Sequence, residues 1–219
     1  MTGTCQAGHP PPICKGWPAG DSAFISETNF SQPDLPDLLS FVNGTRVESA
    51  GSAWQERRAE IKFLLHKYMY GTLPKVNPPL VGVNASATMV SRGGGSSQQV
   101  RLTFDVQGRT NVTIEVEVLK PPGEGPFPLF LTQTNHRRWA LKAAARGYAA
   151  CVYPGADVND QSLQFRAAYH NSSEPPTWGT ILSRSWLASR ALDYLLDPAH
   201  VDFIDSTRVG ISGHSRNGK

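Results

Sequence analysis

The feature that most constrains the fold of this 219-residue chain is a glycine-rich run directly after an apolar segment at the carboxyl end. Residues 205–213, DSTRVGISG, predict a buried strand. Residues 213–219, GHSRNGK, follow it with no spacer. A strand that ends in such a run fits two chemistries, and each of them belongs to a different fold.

The first chemistry is that of a nucleophile elbow, a tight strand-to-helix turn that holds a serine in a strained conformation above the carboxyl edge of a sheet. Small residues must flank such a turn because its backbone folds back on itself, and Gly213 and Gly218 meet this need. The amide of Arg216 would point to a substrate oxyanion. The common spacing is G-x-S-x-G, whereas the spacing here is G-x-S-x-x-G.

The second chemistry is that of a phosphate loop, because residues 213–219 also match G-x-x-x-x-G-K after a strand. The Ser or Thr that completes that motif would be residue 220. Such loops usually open a nucleotide-binding domain, whereas this run follows more than 200 residues of other sequence. A purely structural glycine turn is a third interpretation.

The preceding segment alternates strands with helices. Apolar runs at 126–135 and 148–155 are typical of strands buried on both faces. Helical patterns follow at 137–147 and 178–197, and a polar loop is expected over 155–177. This order predicts an α/β fold with a parallel sheet and right-handed crossovers.

Three segments further upstream alternate apolar with polar residues and predict antiparallel strands at 85–91, 99–106 and 112–122. We expect them to lead into the larger sheet, and a separate β module is the alternative. Residues 1–50 are rich in proline and glycine and predict an irregular segment, so we expect the domain to span 51–219.

Residues 54–70 show the spacing of an amphipathic helix. The predicted packed face consists of Trp54, Ile61, Leu64, Leu65, Tyr68 and Met69, and the predicted solvent face consists of Glu56, Arg57, Arg58 and Glu60. Gly71 and Pro74 end the pattern.

Composition excludes several classes of protein. Hydrophobic residues make up 39% of the chain, which suits a globular core and not a disordered chain. No apolar run approaches the roughly 20 residues of a membrane span. The net charge is +3 and no run of five Lys or Arg occurs, so nucleic acid is not an expected partner. No metal site is expected, since no CxxC or HxxxH spacing occurs.

Cysteines and glycosylation sequons bear on the compartment. Cys5 and Cys14 either form a disulfide in an oxidising compartment or remain free, and Cys151 predicts a buried thiol. Chance would give roughly one Asn-x-Ser/Thr sequon in such a chain, and the five present favour secretion although no apolar signal segment follows Met1. The sequon asparagines are Asn29, Asn43, Asn84, Asn111 and Asn171.

Residues 208–219, RVGISGHSRNGK, resemble the signature of the glucuronoyl esterases, carbohydrate esterase family fifteen of the α/β-hydrolase fold, whose elbow reads G-[C/H]-S-R-x-G-K. Residues 54–74 are similar to the family's W-x-x-R-R-x-E-I segment that ends in Y-G-x-x-P, residues 129–157 to its third and fourth core strands, and residues 183–196 to its helix W-x-x-S-R-A-L-D-Y. The resemblance covers about residues 50–219. It implies a three-layer α/β-hydrolase sandwich, truncated after the elbow and preceded by antiparallel strands.

The resemblance also implies roles for the elbow residues. Ser215 would be the nucleophile, and Arg216 would stabilise the oxyanion through its amide and its guanidinium. Lys219 would bind hydroxyls of the glucuronate ring, and an exposed lysine at a helix start is the alternative. His214 would pack and not act as the base. The implied substrate is the ester between a glucuronic acid on xylan and a lignin-type alcohol, and acyl transfer by serine needs no cofactor.

Two further residues of interest stand where the strand predicted over 126–135 ends. Asn135 and His136 lie at its carboxyl end, where this fold brings a loop to the oxyanion side of the nucleophile. We expect them to line the active site and contact substrate, and an exposed loop without function is the alternative.

The chain order of this fold is serine, acid, histidine, and only four residues follow Ser215. We therefore expect an N-terminal fragment that is inactive and poorly soluble alone, from a secreted enzyme that is monomeric at full length. Three alternatives stay open at this point: an acetylxylan or generic carboxylesterase with the same elbow, a nucleotide-binding protein, and a non-catalytic fragment that binds a glycan or a partner chain.

Overall fold

The computed structural model describes residues 36–91, 93–172 and 174–219, and only the backbone of residues 110 and 111. The predicted Cys5–Cys14 pair, the sequon at Asn29 and most of the predicted irregular segment lie outside the described residues. The chain divides into two compact units between Met69 and Tyr70. The predicted domain boundary at residue 50 stays a prediction.

In the first unit the predicted helix is present as α1 (Ser52–Leu65), and a π turn (His66–Tyr70) follows it. The predicted faces are wrong in part, because Arg57 and Glu60 are buried while Met69 is 64% exposed. Arg57 Nη1 donates to Glu60 Oε2 at 2.6 Å, and Arg57 Nε donates to the Leu38 carbonyl at 3.2 Å. Burial of these charges is tolerated because each one has a hydrogen-bonding partner.

The second unit is built on a seven-stranded sheet. The strands are β1 (Leu80–Ala85), β2 (Met89–Val90), β3 (Ser96–Val106), β4 (Arg109–Lys120), β5 (Phe127–Gln133), β6 (Ala149–Tyr153) and β9 (Ile204–Ile211). Six of them follow the order β1–β3–β4–β6–β5–β9, and β2 pairs with β3. The helices are α2 (Arg137–Ala144), α3 (Ser162–Tyr169) and α4 (Thr180–Leu195), and a two-stranded hairpin consists of β7 (Gly155–Ala156) and β8 (Asn159–Asp160).

The antiparallel part of the sheet contains the predicted strands at 99–106 and 112–122, joined by a tight turn at Gln107 and Gly108 with φ of 55° and 82°. The strand predicted at 85–91 is misplaced. The main strand there is β1, which ends at Ala85, the first residue of the predicted segment. Ala85 pairs with Val100 of β3, and of the residues after it Met89 and Val90 pair with β3 as the short strand β2. The pairing between β1 and β3 begins before the predicted segment. The Pro79 carbonyl, directly before β1, accepts a hydrogen bond from the Asp105 amide of β3 at 3.0 Å.

The parallel part consists of β6, β5 and β9, as the sequence predicts. Alternate residues of β6 face opposite sides, which follows from the period of a strand. Ala150 and Val152 pack with Ala140 of α2, whereas Cys151 and Tyr153 belong to the larger core that contains residues of α4. Cys151 is the predicted buried thiol, and burial raises its pKa far above the ordinary value.

The predicted polar loop at 155–177 contains structure that the sequence pattern missed. It holds the β7–β8 hairpin and α3, whose buried side chains include Phe165 and Tyr169. The Asp160 carboxylate accepts hydrogen bonds from the Ser162 amide at 3.0 Å and its hydroxyl at 2.6 Å, which joins the hairpin to the helix. These elements are too short for their periodicity to show.

The prediction of β9 as a buried strand is wrong for the part of the chain that the structure describes. There β9 is the last strand in the order, and Val209 and Ile211 are 40% and 60% exposed. The chain passes from β5 to β6, on one side of β5, through α2. It then crosses to β9, on the other side of β5, through a connection that contains α4. The carboxyl ends of β5 and β9 therefore border the crevice where such sheets hold ligands. Among the described helices, none is long and apolar enough to cross a membrane.

Candidate active site

The turn after β9 has the geometry of a nucleophile elbow. The Ser212 amide donates to the Leu131 carbonyl at 3.0 Å, and a 3-10 turn over Ser215–Gly218 follows. Ser215 has φ of 55°, a left-handed conformation that is unusual for a residue with a side chain. Among the described non-glycine residues, only Gln107 in a hairpin turn shares it. Such a conformation costs about 1–3 kcal/mol and persists only where its surroundings impose it.

Two glycines make this turn possible. A Cβ atom on Gly213 would lie 1.9 Å from the Asn217 carbonyl oxygen, and one on Gly218 would lie 2.9 Å from the Gly213 carbonyl oxygen. The backbone of residues 213–218 is therefore too closely folded for a larger residue at position 213. This closeness is the reason that the sequence needs glycine on both sides of the serine.

Gln133, at the carboxyl end of β5, ties the elbow to the sheet. Its Nε2 donates to the Asn217 carbonyl at 3.0 Å and to the Tyr153 hydroxyl at 2.7 Å, and the side chain is buried. Burial raises the pKa of Tyr153 to about 12, so this phenol stays neutral at physiological pH. Sequence reasoning missed Gln133, although a polar residue at the end of a buried strand is a usable signal.

The side chains of Ser215, Arg216 and Lys219 are all exposed. The Arg216 guanidinium donates to Asp157 Oδ2 at 2.5 Å. Arg184 contacts the other oxygen of Asp157 at 2.8 Å. Hydrogen bonding to Arg184, together with the charge of Arg216, holds the pKa of Asp157 below its usual range.

The predicted loop residues lie in a 3-10 turn, Thr134–His136, directly after β5. Asn135 is exposed and His136 is half-buried. The His136 ring stacks on Trp139 at 4.7 Å between centroids and meets the His214 ring edge-on at 6.0 Å. The structure thus brings His136 next to the residue that precedes the serine.

The other described histidines lie elsewhere in the fold. His66 belongs to the π turn after α1, His170 follows α3, and His200 follows α4 near Asp197. Among the described residues, no group of three or more His, Cys, Asp or Glu side chains gathers as a metal site. The elbow itself presents a serine hydroxyl on a strained backbone, together with the amide and the guanidinium of Arg216. Acyl transfer needs such a nucleophile and such donors to the oxyanion.

No protein-family model matches the chain. A 4-O-methyl-glucuronoyl methylesterase of Cerrena unicolor is 28% identical over 216 residues, an alignment that covers 92% of this chain and 42% of that protein. A carbohydrate esterase from an unknown prokaryotic organism is 27% identical over 234 residues, with 84% of this chain and 54% of that protein covered. The chain spans about half the length of the curated relatives it matches.

Solved structures give the same result for the fold. A promiscuous CE15 esterase from a marine bacterial metagenome superimposes with a TM-score of 0.66 at 24% identity, over 84% of this chain and 57% of that one. A glucuronoyl esterase from Solibacter usitatus superimposes with a TM-score of 0.65 at 22% identity, over 84% and 58%. The predicted α/β-hydrolase fold and the resemblance to glucuronoyl esterases are confirmed. The phosphate-loop alternative has no support.

Proposed function

We propose that this chain carries the nucleophile half of a serine carboxylic-ester hydrolase that acts on glucuronoyl esters of plant cell-wall xylan. One observation carries the proposal: Ser215 stands at φ of 55° on a glycine-flanked turn after a parallel strand. The substrate class comes from the names of the relatives, several of which are 4-O-methyl-glucuronoyl methylesterases.

In the proposed reaction the Ser215 hydroxyl attacks the ester carbonyl and forms a tetrahedral intermediate. The intermediate collapses to an acyl-enzyme, and the alcohol leaves with a proton. Water then attacks the acyl-enzyme and releases the uronic acid. Arg216 would stabilise the oxyanion in both steps through its amide, and its guanidinium adds a positive charge that a neutral donor lacks.

The remaining contacts belong to the sugar and the leaving alcohol. We assign Lys219 to hydroxyl groups of the glucuronate ring, and Asn135 and His136 to the edge of the crevice beside the elbow. The support for these roles is position, since the turn that holds Asn135 and His136 follows β5 and Lys219 follows the 3-10 turn of the elbow.

The proposed mechanism also needs a general base and an orienting carboxylate. In this fold both follow the nucleophile in the chain, and the curated relatives are about twice as long as the stretch that aligns here. We therefore expect the two groups in sequence beyond Lys219, and we expect residues 1–219 alone to be inactive.

We further propose that the enzyme is secreted, and that at full length it is a monomer without a cofactor. The support for secretion is the five sequons, three of which have asparagines that the structure places in exposed positions, Asn43, Asn84 and Asn171. Treatment of the protein from a eukaryotic host with an endoglycosidase tests this, since loss of mass is the expected result.

The test of function compares the full-length protein, meaning a polypeptide that spans the whole length of the relatives, with residues 1–219. Both receive a methyl ester of glucuronic acid and an aryl acetate. We expect the full-length protein to cleave the glucuronate ester with far higher kcat/KM than the acetate. Preference for the acetate would instead support an acetylxylan or generic carboxylesterase, and turnover by residues 1–219 would contradict the expected placement of the base.

A further inference from the structure

The side chain of Arg216, which the proposed mechanism assigns to the oxyanion, is hydrogen-bonded to Asp157 in the structure. The Arg216 guanidinium donates to Asp157 Oδ2 at 2.5 Å, and 68% of the Arg216 side chain is exposed. A long exposed side chain samples many rotamers unless a neighbour restrains it. Asp157 supplies that restraint here, and it comes from a different part of the chain, 59 residues upstream.

Asp157 is itself held in place. It lies in the two-residue turn between β7 and β8, so the hairpin presents its carboxylate to the elbow. Arg184 of α4 contacts Asp157 Oδ1 at 2.8 Å, which leaves Oδ2 for Arg216. The two oxygens of one carboxylate thus join α4 to the elbow.

Arg184 also pairs with a second carboxylate, that of Asp160, and this second ion pair is mostly buried. Arg184 Nε donates to Asp160 Oδ2 at 2.8 Å, and their side chains are only 12% and 10% exposed. Asp160 accepts hydrogen bonds from the amide and the hydroxyl of Ser162, and the Ser162 hydroxyl oxygen accepts one from Ser183 Oγ at 3.1 Å. Arg184 Nη1 also approaches Asn217 Oδ1 in the elbow, at 3.5 Å. These ionic contacts connect the buried Asp160 and Arg184 to the exposed guanidinium of Arg216.

From this geometry we propose that Asp157 is a positioning residue for Arg216, with Arg184 as its support. The proposal rests on the proposed function, since it concerns the guanidinium that would face the oxyanion. An exposed ion pair contributes little to stability, because water screens the attraction and fixing two long side chains costs conformational entropy. We therefore expect loss of the contact between Asp157 and Arg216 to change the orientation of the guanidinium more than the stability of the fold. Preorganised donors are effective in catalysis because they need no rearrangement when charge develops.

The experiment is a double-mutant cycle in the full-length protein with a glucuronate methyl ester as substrate. Asp157→Asn is expected to lower kcat about tenfold with little change in KM, and to move the thermal unfolding midpoint by no more than about 2 °C. In an Arg216→Ala background, Asp157→Asn should cause no further loss of kcat, because the group that it positions is gone. Asp157→Glu should restore part of the activity.

The matched control is Glu115→Gln, which removes another exposed ion pair, to Arg101 at 2.5 Å, in the antiparallel part of the sheet; the two side chains are 58% (Arg101) and 47% (Glu115) exposed, against 68% for Arg216 and 51% for Asp157. It is expected to leave kcat unchanged. An unchanged or higher kcat in Asp157→Asn, or an equal loss in the presence and absence of Arg216, would overturn the proposal. If the wild-type protein hydrolyses no glucuronate ester at all, the proposed function fails instead, which separates the two outcomes.

Discussion

At the scale of single residues, the elbow depends on backbone space more than on side-chain chemistry. Ser215 keeps its positive φ because residues 213–218 fold so tightly that the turn has no relaxed alternative. The G-x-S-x-x-G pattern in the sequence predicts this turn correctly, since only glycine tolerates the 1.9 Å approach at position 213. The pattern does not predict Gln133, because its two hydrogen bonds join residues far apart in the chain.

Gly213→Ala tests the space argument. The added methyl group would overlap the Asn217 carbonyl, so the turn must open and shift the Ser215 hydroxyl. A displacement of about 1 Å can cost about 100-fold in rate. We expect kcat/KM of the full-length protein to fall by about that factor. Gly93→Ala is the matched control, because a Cβ there meets no atom within 4 Å and the position, like Gly213, has no positive φ. Equal loss of activity in both variants would contradict the account.

Asp205 allows a prediction about pH. Hydrogen bonds from Thr207 and Arg208 lower its pKa from the ordinary value to about 2. A carboxyl whose pKa is lower in the folded state stabilises the fold above its unfolded pKa, and this contribution is lost as pH falls through the folded pKa. We therefore expect Asp205→Asn to be less stable than wild type at pH 6, and the difference to shrink as the pH falls toward the folded pKa of about 2, by urea unfolding of the same protein. A stability difference that is as large near pH 2 as at pH 6 would show that the carboxylate charge is not the cause.

At the scale of elements, periodic segments were predictable and contact-dependent ones were not. The long strands and α4 show their periods clearly, so the sequence places them within a few residues. The same reasoning does not predict the burial of Arg57 and Glu60. Arg57 donates to the backbone carbonyls of Asp37 and Leu38, and Glu60 accepts from the Val42 amide, so the burial depends on contacts between distant residues. The apolar composition of β9 predicts a buried strand, whereas the expectation of a fragment predicts an open strand edge, and the exposed Val209 and Ile211 agree with the second.

Gln133 connects two elements, β5 and the elbow turn, and its removal should loosen both. Gln133→Leu loses the bonds to the Asn217 carbonyl and the Tyr153 hydroxyl and leaves both groups unpaired near the core. An unsatisfied buried polar group costs about 1–3 kcal/mol, so we expect a loss of that size in the free energy of unfolding. Denaturant titration measures it. Gln99→Leu, at an exposed position on β3, is the control and should change stability by less than about 0.5 kcal/mol.

The start of α2 offers a second test at this scale. Arg137 donates to both oxygens of Glu117, at 2.5 and 2.6 Å, and Glu117 is only 5% exposed. This bidentate pair raises the pKa of Arg137 and attaches the helix to β4. Glu117→Gln should lower the free energy of unfolding by about 2 kcal/mol, because it weakens a charge-assisted pair at a sheltered site. Glu115→Gln is the control, since its pair with Arg101 is exposed. Similar losses in both variants would argue against a specific role for burial.

At the scale of the whole molecule, the comparison with solved structures shows an α/β-hydrolase fold, and the strand order of the sheet puts its switch point beside the elbow. Sequence reasoning reached this fold because one specific motif fixed the place of the last strand. It could not reach the ionic series from Asp160 to Arg216, because the hairpin that presents Asp157 is too short to predict. Val209 and Ile211 are exposed apolar side chains on β9, the edge strand of the described sheet.

The central claim is that Ser215 is the nucleophile, and covalent capture tests it most directly. The full-length protein is treated with a fluorophosphonate, in which a serine oxygen attacks phosphorus and fluoride leaves. Digestion and mass spectrometry then locate the adduct. The account predicts a single adduct on the peptide that contains Ser215, with loss of esterase activity in step with its formation and no adduct in Ser215→Ala. An adduct on another residue, or ester hydrolysis that survives in Ser215→Ala, would contradict it.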